Sequence, residues 1–341
     1  MRCDVGQVVT IDDLSDDDLL AIFDFYVVRY QDLLIGEMVL GIRDAMKKTR
    51  SWQSLVHVCR RWRGLVFGSP RRLNLQLYCT TKTPANGTLD VWPALPLLIR
   101  GDVTETTVDN VIAQLEHSDR IRQININFQT NSQIEKLCAA MQAPFPELVN
   151  LYLSSGNLAY RPDLPGSILG GSAPSLRHLV ISSIPFSGLP KLLSFTTHLV
   201  YLYLVNIPHS GYISPDAMAT CLSMLTSLDL LQFGFESPQS SPDQETRRPR
   251  PPSRSVIPAL TGISFTGVNE YLEELVARID TPRLRWLQTA FFNDLNFDTP
   301  SSDSSLTHQY SRDPMKHMYS LKVEPLRSTF IHKHLTENFS K

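Results

Sequence analysis

Two kinds of hydrophobic spacing divide the chain. Near its start apolar residues recur in steps of three and four: Leu19, Ile22 and Phe23, following Leu14, and then Leu55, Val58, Cys59, Trp62, Leu65 and Val66. That period predicts two amphipathic helices, the second running over 51–67 as one piece. Ser15 can cap the first, and Asp16, Asp17 and Asp18 suit the positive end of its dipole. Gly68-Ser69-Pro70 stops the second, because proline cannot continue a helix and restricts the residue before it. From Arg72 to Tyr78 the apolar residues alternate strictly, the period of a half-buried strand, and Leu95 to Ile99 offers a second short one.

Beyond about residue 120 the spacing L-x-x-L-x-L returns again and again. It appears at Ile121/Ile124/Ile126, Leu148/Leu151/Leu153, Leu176/Leu179/Ile181 and Leu199/Leu202/Leu204. It continues at Leu225/Leu228/Leu230, Leu260/Ile263/Phe265 and Leu284/Leu287. Successive starts are 27, 28, 23, 26, 35 and 24 residues apart. Most of these intervals fall in the range of about 20 to 29 residues of leucine-rich repeats. The long interval contains the Ser-, Pro- and Arg-rich stretch 236–258, which reads as a solvated insertion loop. Helix-start signals lie between the strand motifs: a capping box at Ser132 to Glu135, serine then proline at Ser214-Pro215, and Asn269-Glu270. Helix, loop and strand in alternation predict a parallel α/β solenoid, in which each unit buries its apolar face only against its neighbours.

Composition narrows the class. Of 341 residues 42% are hydrophobic, the formal net charge is −2, and no run reaches the 18 to 20 apolar residues of a membrane span. The five cysteines form no C-x-x-C pair, which fits reduced thiols in cytoplasm or nucleus. Charge is segregated at the start: acids cluster up to Asp24 and arginines from Arg43 to Arg72. The basic stretch has two readings, a nucleic-acid patch or the solvated faces of short helices. The absence of interleaved aromatic residues favours the second. No phosphate-binding glycine loop, HExxH, GxSxG or zinc-type cysteine pairing occurs, so no catalytic, cofactor-binding or metal-binding residue is assigned and no enzymatic activity is expected.

The N-terminal motifs carry a resemblance. Val58-Cys59-Arg60-Arg61-Trp62-Arg63 followed by Ser69-Pro70-Arg71 resembles the second half of an F-box, and Leu14-Ser15-Asp16-Asp17-Asp18-Leu19-Leu20-Ala21-Ile22-Phe23 resembles its opening. Ser15 stands where the family has proline, and the link of about 29–50 is longer than usual. With the repeats, the chain resembles the F-box proteins with divergent leucine-rich repeats found in mushroom-forming fungi. The repeats lack the consensus asparagine or cysteine, having Gly156, Ile184, Ile207 and Val268 instead.

The resemblance implies an F-box-like helical module over 1–75 and a solenoid over 76–297; past Phe297 the pattern ends, leaving a tail over 298–341 that is disordered, a cap or an altered end. It implies a substrate-recognition subunit of a Skp-cullin-F-box type ubiquitin ligase. Leu14, Leu19, Ile22, Phe23, Leu55, Val58, Cys59 and Trp62 would form the F-box core or meet a Skp-type adaptor, which links to a cullin. The strands would hold an unknown target protein, on a face that includes Asn150, Tyr152, His178, Val180, Tyr201, Tyr203, Asp229 and Ser264. Tyr152, His178, Tyr201 and Tyr203 are its candidate partner residues. The alternatives are a repeat scaffold without a ligase role and a nucleic-acid-binding protein.

Overall fold

A computed structural model describes residues 10–27, 51–85, 89, 91–156, 162–238, 254–292, 306–310 and 317–322, the last two stretches by their backbone. It divides into two compact units, Met1–Leu98 and Ile99–Lys341. The 29–50 link, the Arg- and Pro-rich stretch 247–252 and most of the 298–341 tail lie outside the described residues.

In the first unit α1 (Asp16–Tyr26) starts as its sequence dictates. Ser15 Oγ accepts from the Asp18 amide at 3.2 Å, while an Asp18 carboxylate oxygen accepts from the Ser15 amide at 3.1 Å. This reciprocal pair satisfies two amides that the first turn leaves without helical partners. The single helix expected over 51–67 is instead two, α2 (Ser51–Val56) and α3 (Arg60–Gly68). Cys59 between them is fully extended, at φ −154° and ψ 174°, and its Sγ accepts from the Trp62 amide. The Arg63 guanidinium donates to the Val56 carbonyl at 2.9 Å, so the end of α2 is closed by a side chain of α3. Apolar period cannot see such a break. β-branched Val56 and Val58 weaken the helix there, and the cysteine and arginine supply the caps.

α1 is bound to α3 by contacts between residues some 45 positions apart. Arg61 donates to the Leu14 carbonyl at 2.6 Å and to Asp16 Oδ1 at 2.7 Å, and Phe23 lies on Trp62 with ring centroids 4.7 Å apart. Trp52 is buried, donates to the Gln76 carbonyl at 3.0 Å, and meets Phe67 and Trp92 edge to face. Strand β1 (Leu77–Thr80) follows, and β2 (Leu97–Val103) begins in the last residues of the unit.

The second unit is mixed α/β with a large parallel sheet. Its strands are β3 (Ile121–Phe128), β4 (Asn150–Ser155), β5 (His178–Ser182), β6 (Tyr201–Ile207), β7 (Leu230–Phe235), β9 (Gly262–Gly267) and β11 (Trp286–Phe291). They pair in that order, each parallel to the next. Helices α4 (Val108–Leu115), α5 (Asn131–Ala140), α6 (Leu189–Leu193), α7 (Pro215–Ser223) and α8 (Asn269–Arg278) alternate with them. A parallel pair needs a crossover, which a helix provides between β3 and β4, β5 and β6, β6 and β7, and β9 and β11. The described part of the β4–β5 connection holds a short 3-10 turn (Ile168–Gly171), and that of the β7–β9 connection holds β8 (Ser255–Val256).

Registers show which residues the repeat brings into line. Ile124, Leu151, Leu179, Leu202, Leu231, Ile263 and Leu287 are cross-strand partners in one row, all buried. The fifth motif is therefore Leu228/Leu231/Phe233, not Leu225/Leu228/Leu230. The leucine-rich run allows both frames, and the one adopted aligns Phe233 with Leu204 and Phe265. One helix cap also moves. The cap before α5 is built by Gln133, whose Oε1 accepts from the amides of Gln129 and Thr130, rather than by Ser132 with Glu135. Ser214 does cap α7, accepting from Ala217 at 3.2 Å, with Pro215 in the first turn.

The end of the 236–258 stretch is ordered. Within it β8 (Ser255–Val256) pairs in parallel with β10 (Ile279–Asp280), and Ile257 is buried, its amide bonded to the Asp280 carbonyl at 2.8 Å. Two strands also fall within 298–341. β13 (His317–Lys322) pairs antiparallel with β11, and β12 (Leu306–Tyr310) pairs antiparallel with β13.

Candidate functional site

Two surfaces carry the sequence-derived candidates, one in each unit. In the first, Leu19, Phe23 and Leu55 are buried, and Leu14 and Trp62 are half-buried. Ile22, Val58 and Cys59 are exposed, Val58 by 59% because it sits in the break between α2 and α3 rather than on the inner face of one helix. Cys59 is thus a helix cap, not a core thiol. The motifs do not single out Val27, Trp52 and Val56, which are also buried, nor Phe25, which is 93% exposed. Phe25 falls outside the apolar stripe of α1, and that was the signal for an outward ring.

Three arginines of the basic stretch, Arg61, Arg63 and Arg72, are engaged inside the unit. Arg61 and Arg72 pair with Asp16 and Asp17 at 2.7 and 3.0 Å, and Arg63 holds the Val56 carbonyl. Two acids of α1 are thus complemented by arginines from α3 onward.

The second surface is the face of the parallel sheet turned away from the buried leucines. Strands alternate, so every second residue stands on it. One row runs Asn150, His178, Tyr201, Leu230, Gly262, Trp286; the next runs Tyr152, Val180, Tyr203, Gln232, Ser264, Gln288. Most of these side chains are half-exposed. The structure brings Tyr152, Val180 and Tyr203 into one row and His178 beside Tyr201, but Tyr152 on β4 is separated from Tyr201 and Tyr203 on β6 by β5, so the three tyrosines are not on adjacent strands. Asp229 instead precedes β7, and Leu230 and Gln232 take its place on the face, following the change of frame.

The rings interact. His178 stacks on Tyr201 at 4.6 Å and 20°, its Nδ1 is hydrogen-bonded to Asn150 Oδ1, and Tyr201 lies 6.4 Å from Tyr203. Burial, with a smaller contribution from Arg177, pulls His178 down to about 4, so it is neutral at pH 7. Burial first, then Tyr201 and Asp229, pushes the Tyr203 hydroxyl above its ordinary value. At the other end of the face the Trp286 indole lies over Gly262. A Cβ on Gly262 would come within 2.2 Å of that ring, so only glycine permits the approach. Asp229 is tied down by Thr261, whose hydroxyl donates to it at 2.6 Å.

Among the described residues no group of three or more His, Cys, Asp or Glu is placed to hold a metal ion, and no helix is long and apolar enough to cross a membrane. Burial, then Asp163 and Glu135, pushes the Cys138 thiol up to about 12. A thiol so raised is protonated and a poor nucleophile. No protein-family model matches the chain, and no curated protein matches it.

Proposed function

We propose that the chain is a substrate-recognition subunit of a Skp-cullin-F-box type ubiquitin ligase. Its first unit would be an F-box docking a Skp-type adaptor, and its second a leucine-rich-repeat solenoid holding a target protein. The observation that carries the reading is the first unit's division of apolar residues. Both motif halves meet through Phe23 on Trp62 and through Arg61, yet Ile22, Phe25 and Val58 are left 48%, 93% and 59% exposed. Large apolar side chains displayed by a module too small to bury them are what an obligate partner covers. Such a subunit catalyses nothing itself; it raises the effective concentration of the target beside a charged ubiquitin-carrying enzyme. The arginines held by Asp16, Asp17 and the Val56 carbonyl speak against the nucleic-acid reading.

The test is affinity purification of the full chain with a Skp-type adaptor, repeated with Phe25→Asp and Val58→Asp. Retention by the wild type and loss in both variants, with unchanged thermal melting, is expected. Retention by all three would remove the adaptor assignment. No retention by any would leave the reading of a repeat scaffold without a ligase role.

A further inference from the structure

The open face of the second unit's sheet has an unusual composition. The two rows from β4 to β11 supply 12 positions, and none is Asp, Glu, Lys or Arg. Protein surfaces ordinarily carry about a quarter to a third charged residues, so three or four would be expected among these. The neighbouring positions Ser154, Ser182, Gly234 and Thr266 continue the pattern. Tyrosine and tryptophan are present while charge is absent, the composition of the desolvated centre of a protein interface rather than of its rim. Charged groups stand around this centre: Arg177 and Arg285 precede β5 and β11, Asp229 is bonded to Thr261, Asp102 accepts from Asn127, and Lys322 of β13 continues the first row past Trp286.

The face also has relief. Tyr201 on β6 belongs to the stacked group with His178, while Trp286 leans from β11 across Gly262 on β9. Leu230 on β7 is the residue between these two aromatic walls in the same row. Strands lie about 4.8 Å apart, so six of them span about 24 Å, the length of about seven extended residues. Burying an unpaired charge on such a surface would be strongly unfavourable, because nothing on it can pair with the ion.

From this we infer that the target segment is an uncharged extended peptide of about seven residues, crossing the strands and placing an aromatic, proline or aliphatic side chain over Leu230. The inference rests on the proposed role of the second unit as the target-binding part. It excludes a segment that sets a phosphate or carboxylate over the centre of the face, since none of the 12 positions between β4 and β11 offers a cation.

The test pans a random heptapeptide library displayed on phage against the full-length protein, and measures the recovered peptides as synthetic ligands. The expected peptides have at most one charged residue. Their Kd changes less than twofold between 50 and 500 mM salt, whereas exposed charge pairs are screened over that range. Leu230→Asp and Tyr201→Ala weaken them at least tenfold, and Gln232→Lys, a change at a half-exposed position, shifts the selection toward acidic peptides. Peptides rich in charge, salt-sensitive binding, indifference to Leu230→Asp, or no recovery at all would overturn the inference. Self-association of the chain abolished by Leu230→Asp would equally overturn it, identifying a second copy as the occupant. Adaptor retention is scored separately: uncharged peptides bound through Leu230 without any adaptor would uphold the inference while the ligase reading fell.

Discussion

The two units solve the burial problem in opposite ways. Eight large apolar side chains are exposed among the described residues. Six of them, Ile11, Ile22, Phe25, Tyr26, Val58 and Val91, belong to the first unit, although the second is more than twice as long. In the second unit only Phe195 and Val256 stand out, and the strands instead present uncharged polar and aromatic residues over rows of fully buried leucines. A short helical module has too little volume to cover its own apolar surface. A sheet extended strand by strand buries one face completely and leaves the other to be chosen by function. The difference teaches where partners should be sought: on the first unit through exposed apolar side chains, and on the second through a half-buried face.

The largest expected effect tests whether the first unit has a true core. Trp52→Ala removes a buried indole with its bond to Gln76 and should cost about 3–5 kcal/mol in a urea melt. Trp62→Ala, at a half-buried position on Phe23, should cost clearly less. Equal losses would mean that the two rings are equally internal. Next, Phe25→Asp should leave stability within about 0.5 kcal/mol, as expected of a surface change, while reducing adaptor retention at least tenfold. A destabilised Phe25→Asp would show that the ring is covered by the chain itself. Smaller again, Ser15→Ala should cost about 1 kcal/mol through loss of the cap of α1, read as a shift in the urea midpoint.

The smallest effect belongs to the second unit and concerns pH. His178 is held near 4 in the folded chain against an ordinary 6.5, so the unfolded chain takes up its proton first on acidification. Its contribution to stability is present above pH 6.5 and is lost as pH falls from 6.5 toward 4. Replacing His178 by Gln should flatten that part of the Tm-versus-pH curve without changing Tm at pH 7 by more than the loss of one stacked ring. An unchanged acid limb would show that His178 protonates freely on an open surface.

What the sequence determined by itself is what periodicity and capping encode locally. The L-x-x-L-x-L spacing identified the strands and six of the seven residues in the central buried row, because a period of two leaves little choice of face. Ser15 and Ser214 announced their helices because a cap is a contact between near neighbours. That Tyr152, His178, Val180, Tyr201 and Tyr203 share one face followed from the same alternation. Tertiary structure decided the rest. The break at Cys59 depends on Arg63 reaching back to Val56, and the frame of β7 on which leucines meet Leu202 and Ile263 across the sheet. Ile257 is core because Asp280, 23 residues on, offers a carbonyl to its amide, and Trp286 lies flat because Gly262 on the adjacent strand has no Cβ. Each of these rests on a partner distant along the chain, and no local pattern records which distant residue will be the neighbour.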